Sequence, residues 1–217
     1  MPATSASESA DPGTAYAGVV KSRKATAADI DTVANIIALA FATDPVWGPA
    51  LARADGSTEH LGAYWRPYVE GAVANESVFV TDDFSAVALW VPPGGTELLD
   101  DGEPTLERIV ADNLTPSAAE AWAELCERFD ANHPHDDPHA YLSLLATHPD
   151  HRGHGIAQQL MADNLADWEA RGIPAYLEST NPANDHRYER AGFRPIGAFD
   201  AVLDDARITT MWRPVGG

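Results

Sequence analysis

Ile30, Val33, Ile37 and Phe41 stand three or four positions apart, the spacing that gathers apolar side chains on one helix face. Thr26 and Asp29 form a capping box just ahead of them. The preceding stretch, VVKSRKAT at 19–26, reads as a first strand. Asp44-Pro45 ends the helix, because proline disfavours a helical predecessor. A second helix is predicted over 58–74, with Tyr64, Trp65 and Tyr68 sharing a face. The period then changes: SVFVTD at 77–82 and SAVALWVPPG at 85–94 are short runs rich in Val and aromatics, as in an antiparallel hairpin. Residues 100–135 lack strand character. Ser117 and Glu120 read as a capping box before Trp122, Leu125, Cys126 and Phe129, so this stretch is predicted to be a helical insertion.

AYLSLLAT at 140–147 is an almost continuous apolar run, which suits a central strand covered on both faces. Ala157, Leu160, Met161, Leu165 and Trp168 form a helical stripe that stops at Gly172, a residue suited to the left-handed turn after a helix. PAYLEST at 174–180 reads as another buried strand and NPANDHRYERAG at 181–192 as a short helix with its stop. FRPIGAFDAV and ARITTMWRP read as two closing strands. No internal repeat occurs.

Composition narrows the possibilities. A chain of 217 residues with 45% hydrophobic and 22% charged residues folds around one sizeable core, and a single domain over 18–217 is expected. Lys and Arg number 14 against 33 Asp and Glu, a formal charge of −19, so the average surface repels nucleic acid. The same charge suits a cationic small molecule. Cys126 is the only cysteine, so no intramolecular disulfide can form and a cytoplasmic setting is expected. Residues 1–17 lack a basic segment followed by an apolar one and read as a disordered tail, neither signal peptide nor anchor. No run of about 18 apolar residues occurs, so no membrane partner is expected.

Against this acidic background, THPDHRGHGIAQQLM at 147–161 stands out. A buried strand that enters a helix through Arg152-Gly153-His154-Gly155-Ile156-Ala157 leaves the first backbone amides of the helix without internal partners. Glycine removes the Cβ atoms that would hold a bulky anion off the backbone. The helix dipole adds about half a positive charge, and Arg152 a whole one. The elbow therefore suits a pyrophosphate-like group. It is not a Walker A loop, which needs Gly-Lys-Ser/Thr, nor a dinucleotide fingerprint, which would need glycine where Gln158 stands.

The R-x-x-G-x-A pattern at 152–157, between a strand and an amphipathic helix, resembles motif A of the GNAT N-acetyltransferase superfamily. PAYLEST and NPANDHRYERAGF resemble its next motif. The resemblance spans residues 20–213. AFATDP, SAVALWVPPG, YLSLLATHPDHRGHG, PAYLEST and YERAGF are most similar to the antibiotic-modifying group that includes puromycin N-acetyltransferase. It implies an α/β (α+β) GNAT fold: a mixed, mostly antiparallel sheet of about six to seven strands, splayed at the cofactor site and flanked by helices, with the helical insertion between strands 3 and 4. It also implies acetyl-CoA as cofactor and a small-molecule primary amine, such as an antibiotic, as acceptor, in a monomer or homodimer. A protein lysine or N-terminus as acceptor, and a non-catalytic acetyl-CoA sensor, remain open alternatives.

Carried over by position, the resemblance implies that the backbone of Leu145, Ala146 and Thr147 pairs with the pantetheine arm and that Arg152, Gly153, His154, Gly155, Ile156 and Ala157 wrap the pyrophosphate. Asn181 and Asn184 would meet the cofactor, and Tyr188 would protonate the leaving thiolate. A phenol with a pKa of about 10 is neutral at pH 7 and can give up that proton. An alkyl ammonium with a pKa of about 10 is only about a thousandth neutral there, roughly 4 kcal/mol to be offset by a base or an acidic pocket. Where histone-type relatives carry a glutamate on the central strand this chain has Tyr141, which leaves Glu178 as the candidate base. Phe41, Asp44, Trp47, Tyr64, Trp65 and Tyr141, with Tyr68 nearby, are candidates for the acceptor side, an aromatic wall able to face a cation.

Two histidine groups, His133, His135 and His139 and then His148, His151 and His154, lie in turn-rich segments without the spacing of a tetrahedral site, so no metal is expected. Cys126 belongs to an apolar helical stripe, which favours burial over covalent catalysis.

Overall fold

The structure, a computed structural model, describes residues 21–216; the predicted tail at 1–17 and the start of the predicted first strand fall outside the described residues. Among the described residues, β1 (Ser22–Lys24) leads to α1 (Ile30–Phe41), the short α2 (Trp47–Ala50) and α3 (Leu61–Ala74). The hairpin β2 (Val78–Thr81) and β3 (Ala86–Val91) follows, then α4 (Gly102–Asn113) and α5 (Pro116–Asn132). The chain continues through β4 (Ala140–Thr147), α6 (Ile156–Ala170), β5 (Ala175–Ser179), α7 (Asp185–Arg190), β6 (Arg194–Asp200) and β7 (Arg207–Arg213). The strands form a seven-stranded sheet in the order β1-β2-β3-β4-β5-β7-β6. Every neighbouring pair is antiparallel except β4 and β5.

The capping box at Thr26 and Asp29 is present and opens a single 3-10 turn that runs into α1. The expected box at Ser117 and Glu120 is not what starts α5. Thr115 is the cap, its hydroxyl accepting from the Ala118 amide, and Pro116 takes the first helical position, where its missing N–H costs nothing. The helical insertion is present and holds two helices, joined through Leu114 and Thr115.

The sheet is covered on both faces. On one face α1, α3, α4 and α5 pack Val33, Ile37, Tyr64, Trp65, Val69 and Trp122 against Val87, Leu89, Leu144 and Ala146. On the other, α6 lays Ile156, Ala157, Leu160, Met161, Leu165 and Trp168 over Ala88, Trp90, Leu142, Leu177 and Met211. Burying one such aliphatic side chain contributes about 1.5–3 kcal/mol. The Trp90 indole donates to Asn164 Oδ1 at 3.0 Å, which pairs these two buried polar groups under α6.

A β-bulge in β4 divides these two cores. Leu89 pairs with Leu144 but Trp90 with Leu142, so Ser143 is an extra residue in β4. Simple alternation would send Leu142 and Leu144 to the same side. The bulge lets Leu142 pack under α6 while Leu144 faces α1 and α3. Through this shift an almost continuous apolar run serves both cores.

Candidate active site

β4 and β5 are hydrogen-bonded only at their starts, through Ala140 with Ala175 and Tyr141 with Tyr176. Beyond Tyr141 the two parallel strands part, and the side of β4 turned toward β5 has no strand beside it. A cleft of about 1210 Å³ fills this wedge and runs from the end of α5, past Leu145, Ala146 and Thr147, to the elbow before α6. Those three residues pair with β3 on one side, and on the side toward β5 their backbone has no strand partner among the described residues.

At the elbow Gly153 and Gly155 have φ of +83° and +72°, and a Cβ built on either meets nothing within 4 Å. Both glycines are needed for conformation, since side-chained residues are strained there, and both leave open space above the backbone. Gly155 is the N-cap of α6 and supplies no side-chain oxygen, so the first-turn amides are left to a ligand or solvent. Arg152 is exposed on the cleft rim, one guanidinium nitrogen donating to the Ala40 carbonyl at 3.1 Å at the end of α1. His154 points elsewhere: it does not line the cleft, and its Nδ1 sits 3.2 Å from the His151 carbonyl oxygen.

On the opposite wall Asn181 caps the turn before α7, its Oδ1 accepting from the Ala183 amide at 3.1 Å. Asn184 accepts from Arg187, and both asparagines face the cleft. Asp185 fixes α7 by accepting from Ser179 at 2.6 Å and Thr209 at 3.1 Å. Tyr188 projects from α7 into the cleft with its ring against Phe193. Burial and then the Asp44 and Asp185 charges push its phenol up to about 12, above the ordinary value. It therefore stays protonated at any ordinary pH, and it is a weaker acid than an unperturbed tyrosine.

The acceptor side differs from a simple aromatic wall. Phe41 and Trp47 face the cleft, and Trp47 stacks on Phe129 with centroids 5.4 Å apart. Trp65 reaches the lining but is 1% exposed, and Tyr64 is wholly interior, its hydroxyl accepting from the Trp122 indole at 2.8 Å. Tyr64 therefore belongs to the core and does not touch the cleft. Asp44 lines the cleft, yet its oxygens are committed: Oδ1 accepts from the Val46 and Trp47 amides and Oδ2 from Thr180 at 2.7 Å.

Alternation along β5 puts Leu177 under α6 and Tyr176 and Glu178 on the opposite face, where Tyr141 of β4 also sits. The Glu178 side chain is 2% exposed. Its Oε1 lies 3.3 Å from His133 Nδ1, at the end of α5, and its Oε2 has no hydrogen-bond partner among the described residues. A second carboxylate faces the same space: Glu97, from the loop after β3, accepts from the hydroxyl of the bulged Ser143. Burial, reinforced by the Glu178 charge, raises the Glu97 carboxyl to about 7. Sequence pattern alone missed Glu97, which sits in a turn-rich stretch with no motif around it. The only hint was the Pro-Pro-Gly-Gly punctuation just before it.

Close approach explains how Glu97 is held. A Cβ on Gly71 of α3 would lie 2.1 Å from the Glu97 carbonyl oxygen, so only glycine lets the loop settle onto this helix. Asn75 Nδ2 donates to the Thr96 carbonyl at 2.8 Å and pins the same loop. Cys126 also borders the cleft, but burial and the nearby Glu97 push its thiol up to about 12, which keeps it from acting as a thiolate. Among the described residues no group of three or more His, Cys, Asp or Glu is placed to hold a metal ion. No helix there is long and apolar enough to cross a membrane.

A sheet wedged open between two parallel strands, with a glycine elbow at its wide end, defines the fold of the GNAT acetyltransferases. Residues 118–195, from α5 into β6, match the family described as acetyltransferase (GNAT) domain. Among solved structures, the chain is similar to one titled histone acetyltransferase HPA2 and related acetyltransferase, from Corynebacterium glutamicum. That match has 26% identity and a TM-score of 0.66, covering 89% of this chain and 95% of that one. Its fold is also shared by arylalkylamine N-acetyltransferase 2 from Aedes aegypti, at 14% identity, TM-score 0.62 and coverage of 90% and 98%. An N-acetyltransferase from Staphylococcus aureus matches at 14% identity and TM-score 0.55, over 88% and 99%.

Proposed function

We propose that this chain is an acetyl-CoA-dependent N-acetyltransferase acting on the primary amine of a small molecule that carries an apolar or aromatic body. One observation carries the reading: the wedge between β4 and β5 leads directly onto the Gly153–Gly155 elbow, inside the segment that matches the acetyltransferase domain. The residues there suit a diphosphate at the elbow and an extended arm along Leu145–Thr147. The bound cofactor supplies an acetyl thioester. The wedge orients that group, and the Leu145 amide, carried over from the sequence resemblance, meets charge developing on the thioester oxygen. Tyr188 holds its proton toward the departing sulfur. Because its phenol is pushed up to about 12, its contribution is a hydrogen bond that strengthens as negative charge builds on the sulfur.

Phe41, Trp47 and Phe129 flank the acceptor end with Tyr141 and favour an apolar or aromatic body. The net charge of −19 favours a cationic one. Sequence likeness to the group that includes puromycin N-acetyltransferase makes an antibiotic amine a reasonable first member of a panel. Release of thiol from acetyl-CoA across a panel of small amines and lysine peptides tests the reading. The expected result is turnover of aromatic primary amines well above that of peptides. Coenzyme A binding without turnover of any amine would leave a non-catalytic binder.

A further inference from the structure

Glu97 and Glu178 approach from different parts of the chain, one from the loop after β3 and one from β5, and both face the cleft. The Glu178 charge helps to raise the Glu97 carboxyl, so the two repel each other across the cleft, and a cation between them would relieve that repulsion. Aromatic rings stand beside Glu178 and His133. Tyr141 and Tyr176 lie with centroids 4.8 and 5.0 Å from His133, and Phe129 borders the same cleft. The Glu178 side chain is 2% exposed and feels the neighbouring Tyr141 and Tyr176 hydroxyls, yet among the described residues its Oε2 has no partner at hydrogen-bond geometry, which is costly unless something arrives to use it.

Building on the acetyltransferase reading, we propose that Glu97, Glu178, His133 and Tyr141 form the seat for the acceptor's ammonium group, with Glu97 the residue that takes its proton. Glu178, oriented by His133, supplies fixed negative charge, and the tyrosine face adds cation–π attraction. In the step itself one N–H bond of the ammonium breaks and its proton moves to a Glu97 carboxylate oxygen. The freed electron pair forms the N–C bond to the thioester carbon, and the C–S bond breaks. The thiolate leaves hydrogen-bonded to Tyr188 and becomes the thiol with the second proton that the nitrogen loses. Glu97 suits this task. Its carboxyl stands near 7, so it is largely ionised at mildly alkaline pH and is a better proton acceptor than an ordinary glutamate. The groups facing it are Glu178 of β5, His133 at the end of α5 and Ser143 of β4. Tyr64 and Tyr68 of α3, Cys126 of α5 and Tyr141 of β4 also face it, all kept neutral by burial.

The test uses 2-phenylethylamine and acetyl-CoA, with thiol release followed from about pH 6 to about pH 9 for the wild type, Glu97→Gln, Glu97→Asp and Glu178→Gln. Wild-type kcat/KM is expected to rise through a limb near pH 7. Glu97→Gln loses that limb and about 10²-fold in kcat, Glu97→Asp retains the limb at lower rate, and Glu178→Gln raises the amine KM about tenfold. Calorimetry should find coenzyme A binding unchanged in all three. Wild-type kcat and pH limb in Glu97→Gln, with coenzyme A still bound, would overturn the assignment and leave the acetyltransferase reading intact. No coenzyme A binding and no turnover of any amine by the wild type would remove both.

Discussion

Replacing Glu97 with Gln should make the protein more stable at alkaline pH while making it a poorer catalyst. The carboxyl is raised from an ordinary 4.5 to about 7 by burial and by Glu178, so folding favours its protonated form. The stability this contributes is complete below pH 4.5 and is lost as pH rises through about 7. Glutamine resembles the protonated acid at every pH and still accepts from Ser143. Holding the carboxyl at about 7 instead of 4.5 corresponds to about 3 kcal/mol. Glu97 is only partly buried, and water entering the open cleft screens it, so the expected gain is nearer about 1–2 kcal/mol. For a chain of this length that is roughly 3–6 °C in Tm. Thermal melts of both proteins, followed by circular dichroism, should coincide below about pH 4.5, diverge between about pH 4.5 and about pH 7, and stay apart above that, with the variant melting higher. A Tm difference that does not change with pH, or a variant that melts lower at alkaline pH, would refute the reasoning.

Other consequences follow from the same geometry. Tyr188→Phe should lower kcat about 10²-fold while coenzyme A affinity holds, and wild-type rates should show no limb from this phenol below about pH 10, as kinetics across pH will reveal. Gly71→Ala must push the Glu97 loop off α3; melts should detect a folded protein, and steady-state assays a reduced kcat with unchanged coenzyme A binding. Cys126 should resist iodoacetamide near pH 8, and Cys126→Ala should keep nearly all acetyl transfer, because its thiol at about 12 is almost wholly protonated there.

The parts of this molecule legible in its sequence are those where a local rule decides. Three- and four-residue spacing marked α1 and α6, Val-rich runs marked the β2–β3 hairpin, and glycine with arginine marked the elbow, because each needs only neighbours in the chain. The start of α5 was misplaced by two residues, since Thr115 and Ser117 both offer a capping hydroxyl and only Pro116 settles which one serves. Ser143 could not be recognised as a bulge from the apolar run around it, because the partner register that defines it lies in β3. Tyr64 and Tyr68 look alike on a helical wheel, yet packing sends the first into the core beside Trp122 and leaves the second at the cleft. Glu97 was invisible for the same reason: Gly71, Ser143 and Glu178, which together give it its chemistry, come from three distant segments.

Titration calorimetry with coenzyme A, on the wild type and on Gly155→Val, tests the central claim most directly. Gly155 sits at φ +72° with open space beside its Cβ position, so valine there strains the backbone and projects into the ligand's path. The wild type should bind one equivalent with a Kd between about 1 µM and about 1 mM, and the variant should bind at least about tenfold more weakly. A wild type that evolves no binding heat, or a folded Gly155→Val that binds equally well, would contradict the account.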